Sequence, residues 1–296
     1  MKRKVIQIAD STVLVSIPSK WAKKYGLKKG DSVDVEEEHS KITITAENIK
    51  KQTKKTIVDA KDLEERTLRW VLASTHRSGY DEIEILYNNN KTLKTIEDMI
   101  KNVMLGFIII NQEENKVTLK PMAIESINEF DQTLRRIFLV TLSLADNVLG
   151  NLKNQKEEDI ITLEKTNNQL TNFCERLLNM GAYDYNKTTF LYVICWNLEK
   201  IADEYKYIFQ LGDIKVSSEI LRLFQEVNDI FKEVYNAFYE FDIKKFNNLY
   251  KDAKKLEEKL IDAGGNFELK HHLVTIIAKL LDLPANFIGL KNIEKK

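Results

Sequence analysis

Six basic residues near the start of the chain have the types and spacing to bind phosphate groups. Lysine and arginine side chains neutralise the phosphates of a nucleic-acid backbone, so their clustering predicts contact with an anionic partner. A solvated basic surface without a ligand is the alternative. The six candidates are Lys2, Arg3, Lys4, Lys20, Lys23 and Lys24.

Charge is divided unevenly along the chain. The 296 residues carry 45 Lys and Arg and 45 Asp and Glu, so the net charge is zero. Residues 1–55 hold 13 basic and 7 acidic residues, a net charge of +6, and the remainder therefore carries −6. This asymmetry predicts that the N-terminal segment meets the anionic partner. Arg3 is its one arginine. Because arginine is the commonest base reader, this scarcity favours either weak recognition of DNA shape or recognition mainly through the phosphate backbone.

A second candidate site is acidic. Glu199 and Asp203 lie four residues apart in a helical stretch, so they share one helix face. Carboxylates are the ligands that hard cations prefer, so the two are candidate metal ligands. Two other interpretations stay open: an exposed acidic face, and an ion pair between Asp203 and Lys206. Nothing in the sequence supplies a nucleophile or a substrate cradle beside them, so we expect no enzymatic activity.

Short strands and one short helix must position the basic residues. β-Branched runs alternate with turn residues, and Pro18 has the fixed φ that suits the first turn of a helix. The polar, basic stretch that follows them predicts a linker. The expected elements are strands over 5–8, 13–17, 32–38 and 41–45, a helix over 19–25 and a linker over 48–55.

Beyond the linker the hydrophobic period changes twice. Residues 56–120 predict a small α/β layer with the order βαβαββ and both helices, over 63–76 and 93–105, on one face of the sheet. After Pro121 the apolar residues recur at three and four, which predicts an antiparallel helical bundle. Its six helices are expected over 122–151, 157–181, 186–211, 217–241, 243–263 and 267–290.

Cysteine usage and apolar runs bear on the compartment. Cys174 and Cys195 lie in apolar helical patterns without metal or redox spacing, so they predict buried thiols in a reducing environment. The charged start of the chain is unlike a signal peptide. No apolar run approaches the ~20 residues needed to cross a bilayer. We therefore expect a cytoplasmic protein that does not span a membrane.

The N-terminal pattern resembles the AbrB-type swapped-hairpin family (SpoVT-AbrB). The resemblance covers residues 2–46 and is carried by "STVLVSIPSKWA" followed by "YGLKKGDSVDVE". In that family two chains exchange hairpins to form one β barrel, and the dimer usually binds DNA. The resemblance therefore implies a homodimer that binds double-stranded DNA through the six basic residues.

The helical part resembles PhoU, the phosphate-uptake regulator family, best in "VICWNLEKIADEYKYI" over 193–208. PhoU proteins contain two three-helix repeats with an E-x-x-x-D motif that in some members binds metal clusters. Glu199 and Asp203 match that motif, which implies a divalent or iron cation there. The sequence departs from the pattern in "TNNQLTNF" (166–173), where acids are expected, and at Ala278, which replaces a glutamate and leaves Asp282 alone. These departures predict a degenerate site.

The two resemblances together match an archaeal type of PhoU protein and imply a multidomain chain. The implied function is a DNA-binding regulator of phosphate uptake or phosphate homeostasis whose helical body senses a signal or docks a protein. The alternative is an adaptor that does not bind DNA and docks on a phosphate transporter or signalling protein. The predicted domains are an AbrB-like domain (1–47), a basic linker (48–55), the α/β layer (56–120), a first PhoU-like repeat (121–212) and a second, degenerate repeat (213–296).

Overall fold

The computed structural model describes residues 2–8, 12–38, 41–46, 53–123, 129–153 and 159–294. The chain divides into two compact units. The first, Met1–Thr53, is called the head, and the second, Lys54–Lys296, is called the body.

The head contains two antiparallel hairpins and one short helix. The strands of each hairpin pair with each other, in two separate two-stranded sheets, so the described residues of one chain do not close the predicted barrel. The barrel formed by exchange between two chains stays a prediction. The elements are β1 (Val5–Ile8), β2 (Thr12–Val15), α1 (Ser19–Lys24), β3 (Val33–Glu38) and β4 (Lys41–Ala46).

Strand β2 and helix α1 end earlier than expected, and the other boundaries of the head differ from the expected ones by at most one residue. Strand β2 ends at Val15, before the predicted end at Ile17, because the chain must turn ahead of Pro18, whose carbonyl accepts the first helical hydrogen bond from Ala22. Helix α1 ends at Lys24, and Gly26 follows with a φ of 68°, a conformation that favours glycine. Residues 9–11, between the first two strands, and residues 48–52 of the predicted linker lie outside the described residues.

The body begins with the α/β layer, and the predicted order βαβαββ is confirmed. Its four strands form one sheet in the order β5-β6-β8-β7, with β5 parallel to β6 and β8 antiparallel to both of its neighbours. The elements are β5 (Lys55–Asp59), α2 (Glu65–Arg77), β6 (Glu82–Leu86), α3 (Asn90–Asn102), β7 (Phe107–Glu113) and β8 (Lys116–Pro121). Lys55 therefore belongs to a strand rather than to the predicted linker.

One face of this sheet packs against both helices. Ile83 and Ile85 alternate with glutamates along β6 and are fully buried beside Leu72 of α2 and Ile96 of α3. Helices α2 and α3 also contact each other, so they lie on the same face as expected. Helix α3 begins three residues before the predicted Leu93, because the Asn89 side chain caps it by accepting a hydrogen bond from Thr92 N.

Six helices complete the described part of the body. Helices α4, α5 and α6 contact one another, as do α7, α8 and α9, and the contacts α6–α9 and α4–α7 join the two groups around one apolar core. Residues 122–123 are not helical, and residues 124–128 and 157–158 of the predicted helices lie outside the described part. The helices are α4 (Phe130–Leu152), α5 (Ile160–Asn179), α6 (Tyr185–Gln210), α7 (Ser218–Tyr239), α8 (Ile243–Asp262) and α9 (Phe267–Glu294).

Helix α9 is longer than predicted and continues through Pro284. Among the described helices it alone is long and apolar enough, by length and composition, to cross a membrane. Its buried side chains form one stripe, with Leu269, Leu273, Ile276 and Leu280 fully buried in the bundle core. One side of α9 therefore packs in the bundle core, and the absence of a membrane span stays a prediction.

Candidate functional site

The basic residues of the head are exposed. Lys20, Lys23 and Lys24 all lie on α1, where no residue is buried, and Lys2, Arg3 and Lys4 precede β1 with exposed side chains. Lys23 and Lys24 occupy the last turn, where the helix dipole favours positive charge. The sequence thus places these cations where phosphate oxygens can approach them.

Two aromatic residues of the head contact each other rather than presenting open rings. Trp21 and Tyr25, four residues apart, pack edge to face with ring centroids 5.1 Å apart, and both are partly buried. The Lys24 ammonium group lies 5.2 Å from the Tyr25 ring centroid. This arrangement favours packing roles for the aromatic rings and leaves the lysines as the groups available to a nucleic acid.

The strands of the head expose apolar side chains. Every residue of β1 and β2 is exposed, with Val5 at 64% and Val13 at 61%. An isolated two-stranded hairpin is at best marginally stable in water, and one with its apolar side chains in solvent lacks a core. A second copy that covers these strands would bury their apolar side chains. The head of a single chain therefore has the surface expected of a domain that dimerises.

Glu199 and Asp203 lie together on α6, where lysines neutralise them. Lys200 Nζ lies 2.7 Å from Glu199 Oε2 and 3.1 Å from Asp203 Oδ2. Lys206 Nζ lies 2.6 Å from Asp203 Oδ1 and 2.7 Å from Glu164 Oε1 on α5. The alternative in which Asp203 pairs with Lys206 is confirmed. These five side chains form the carboxylate–lysine cluster.

The electrostatics of this cluster follow from its partial burial. Burial raises the pKa of Glu199, and the neighbouring Asp203 charge raises it further. Burial alone would lower the pKa of Lys206, but its hydrogen bonds to Asp203 and Glu164 outweigh that effect and raise it. The two lysines therefore stay charged and supply the positive charge that the carboxylates require.

These residues do not fit a metal centre in the arrangement that the structure shows. Within the described ranges, no group of three or more His, Cys, Asp or Glu is placed to hold a metal ion. The Lys206 ammonium group bridges Glu164 and Asp203, so it lies where a bridging cation would have to bind. The metal-binding role of Glu199 and Asp203 stays a prediction.

The polar residues that stand in place of the expected acids have structural contacts. Asn167 is fully buried and donates from Nδ2 to Thr141 Oγ1 of α4 at 2.7 Å. Gln169 donates to the Lys101 carbonyl at the end of α3, and Asn168 donates to Glu164 at 2.9 Å. Asn167 and Gln169 therefore tie α5 to α4 and α3, whereas the Asn168 hydrogen bond lies within α5.

A buried arginine that was not among the predicted site residues lies between the α/β layer and the bundle. Arg176 of α5 is fully buried and donates from Nη1 to the carbonyls of His76 and Tyr80 at 2.9 and 2.8 Å. Its guanidinium lies 4.9 Å from the Phe107 ring centroid. We call these four residues the α2–α5 junction. The sequence feature that could have indicated this residue is an arginine within the mostly apolar stretch "FCERLLNM", because a buried charge needs a partner.

One family model matches part of the chain. It is described as "Antidote-toxin recognition MazE, bacterial antitoxin" and matches residues 6–55. No curated protein and no solved structure matches the chain. The match supports the predicted AbrB-like head. AbrB/MazE-like domains are generally dimeric and bind DNA. A domain of this kind fits a DNA-binding or antitoxin-type regulator.

Proposed function

We propose that this protein is a dimeric, cytoplasmic DNA-binding regulator without enzymatic activity. In this proposal the head binds the DNA backbone as a dimer and the body senses a signal or docks a partner. The observation that carries it is the combination, in one small unit similar to MazE/AbrB-like domains, of six exposed cations and uncovered apolar strands.

The physical argument begins with the dimer. Pairing of two heads covers the apolar side chains of β1 and β2, which one chain leaves in solvent. It also doubles the local positive charge, because each chain contributes a net +6 from residues 1–55. Counterion release then makes binding steeply dependent on salt, with each neutralised phosphate adding about 0.9 to the slope. The acidic remainder of the chain is repelled by DNA and stays available to other partners.

The proposal also names the regulated process, which is phosphate uptake. It is supported by the resemblance of residues 193–208 to PhoU and by a bundle of two contacting three-helix groups. The regulated genes in this proposal are those of phosphate uptake or phosphate homeostasis. The proposal does not depend on a divalent or iron cation, since both lysines of the carboxylate–lysine cluster already form ion pairs with its carboxylates.

An adaptor that does not bind DNA is the second candidate. The scarcity of arginine in the head favours it, because Arg3 is the one arginine before residue 56. In this alternative the head serves only to dimerise the chain, and the body docks on a phosphate transporter or another regulatory protein.

Charge reversal separates the two candidates. The test variant is K20E/K23E/K24E, and the control is K244E/K251E/K255E, which makes the same charge change at exposed positions of α8. Binding to promoter DNA of phosphate-transport genes and to random DNA is measured at two salt concentrations. We expect the head variant to bind at least ~100-fold more weakly, with a salt slope lower by about 5 for a dimer, and the control to bind like the wild type. The adaptor would be supported, and DNA binding through the head overturned, if the wild type bound neither DNA or if the head variant bound both DNAs as tightly as the control.

A further inference from the structure

Strand β5 forms an open edge of the sheet in the body. Within the part of the chain that the structure describes, β5 pairs only with β6. The Lys54 carbonyl accepts from residues at the start of β6, and Ala60 N donates to the Leu86 carbonyl. Because alternate residues of a strand direct both backbone groups to the same side, Lys55, Ile57 and Asp59 direct theirs away from β6. The edge therefore presents a regular row of donors and acceptors.

The opposite edge of the sheet is different. Strand β7 has a register shift between Ile109 and Asn111, and its last residues are polar. A bulge is one device that prevents an edge from pairing with another strand. Strand β5 keeps one continuous register with β6 along its five residues. The protein therefore protects one edge of this sheet and leaves the other regular.

The sequence of β5 is complementary to itself. When "KTIVD" pairs antiparallel with a second copy around a two-fold axis at Ile57, Lys55 faces Asp59 of the other strand. Opposite charges directly across an antiparallel pair stabilise it. The residues that face each other are those whose backbone groups point outward, so the pair gains about six hydrogen bonds. Ile57 is 65% exposed, and the pairing places it against its own copy.

The surface beside this edge is largely uncharged. An open groove of about 680 Å³ runs between β5 and α2. Asp59 is its one charged lining residue, and the α2 side of the groove is an uncharged stripe. Trp70 is 60% exposed there, with the Arg66 guanidinium 5.2 Å from its ring centroid. The stripe consists of Thr67, Trp70, Val71, Ser74, Thr75 and Ser78. An uncharged stripe with one exposed aromatic is typical of a helix that packs against another helix.

From these observations we infer that the β5 edge binds the β5 edge of a second copy of this chain. The two four-stranded sheets become one continuous sheet, and the two α2 stripes pack across the same two-fold axis. The inference rests on the dimer of the proposed function, because β4 ends at Ala46 and β5 begins at Lys55, so few residues separate the last strand of the head from the first strand of the body. A dimeric head holds two tethered bodies at an effective concentration in the millimolar range, so a small second interface suffices.

Disulfide trapping in the full-length chain tests the edge pairing. Opposed residues of a hydrogen-bonded antiparallel pair have Cα atoms about 5.5 Å apart, within the roughly 4.4–6.8 Å that a disulfide spans. The test variant is Ile57→Cys, and the control is Ile110→Cys, which lies on the opposite edge strand and is 47% exposed. Both native cysteines, Cys174 and Cys195, are buried. Under oxidised glutathione we expect the Ile57→Cys chain to form covalent dimers at least tenfold faster than the control.

The molar mass of the unmodified chain, measured by light scattering, separates this inference from the proposed function. A dimeric mass with equal cross-linking of the two variants would overturn the edge pairing while the head dimer stands. A monomeric mass at micromolar concentration would overturn both.

A third variant, Ile57→Cys with Trp70→Glu, places a charge in the α2 stripe, and we expect it to cross-link several-fold more slowly than Ile57→Cys alone.

Discussion

At the residue scale, Glu175 illustrates how burial changes a carboxyl group. It lies on α5 with a nearly fully buried side chain, 3.2 Å from Arg77 Nη1 of α2. Burial raises its pKa, although the Arg77 charge opposes the shift. Burial and the Glu175 charge also raise the pKa of Tyr192 on α6 to about 12. Glu175 therefore links three helices, and ionising it in the folded protein is unfavourable.

Glu175→Gln should change the pH dependence of stability. A group whose pKa is raised by folding contributes stability below its unfolded-state pKa, and this contribution is lost as the pH rises through the folded-state pKa. We therefore expect the free energy of unfolding of the wild type to fall relative to that of the variant as the pH rises from 4 to 7. Urea unfolding of both proteins at several pH values measures this. Parallel curves would contradict the raised pKa.

A control residue should give the opposite sign. The exposed Asp159 caps α5, and hydrogen bonds from the Thr162 hydroxyl and backbone, with a further one from Ile161 N, lower its pKa. Its contribution is present above the unfolded-state pKa and is lost as the pH falls. Asp159→Ala should therefore be less stable than the wild type at pH 7 and should converge with it in acid.

At the element scale, one glycine decides how closely α6 and α9 approach. A Cβ atom on Gly289 of α9 would lie 2.5 Å from Phe190 Cε1 of α6, which is closer than real contacts allow. These two helices form an extensive contact that joins the halves of the bundle. The close approach therefore depends on the missing side chain of Gly289.

Gly289→Ala tests this packing. In an open helix the change stabilises by about 1 kcal/mol, but overpacking costs roughly 1–3 kcal/mol. We expect a net loss of about 1 kcal/mol or more in the free energy of unfolding, measured by urea titration, and recovery when Phe190→Leu is added. Gly264→Ala is the control, since its Cβ would meet nothing within 4 Å. Stabilisation by Gly289→Ala would show that the helices are further apart.

At the scale of the whole molecule, the α2–α5 junction holds the α/β layer against the bundle. Arg176 reaches from α5 to the carbonyls at the end of α2, and Gly79 lies beside Met180, with room for no Cβ atom unless the methionine moves. Asn179 adds a hydrogen bond to the Arg77 carbonyl at 2.8 Å. These contacts make the layer and the bundle parts of one body.

Arg176→Met should loosen that attachment. The change removes the donors to two buried carbonyls, each of which costs about 1–3 kcal/mol when left unpaired. We expect a total loss of about 3 kcal/mol and faster hydrogen exchange at the end of α2. The control is Arg69→Met, whose ion pairs with Glu65 and Asp98 are more exposed, so its loss should be ~1 kcal/mol or less. Similar losses for the two variants would contradict the role of the junction.

Local signals in the sequence predicted much of the fold. The alternating pattern of β6 and the amphipathic period of the long helices depend on neighbouring residues, so the order of elements could be read directly. The observed boundaries differ from the predicted ones where a helix cap sets the end of an element, as at Asn89, and where backbone conformation sets it, as before Pro18. The exposed cations of α1 could also be predicted, because a short helix without apolar spacing leaves its lysines in solvent.

By itself, then, the sequence determined the elements, the charge division and the candidate residues. The tertiary structure alone decided which side chains from distant parts of the chain meet. Lys206 joins Asp203 to Glu164 across 42 residues, and Arg176 reaches the His76 carbonyl across 100. It also decided that, among the strands that the structure describes, β5 lies at one edge of its sheet. Periodicity and propensity report on neighbours within a few residues, whereas these contacts depend on how whole helices and strands pack, which no local pattern encodes.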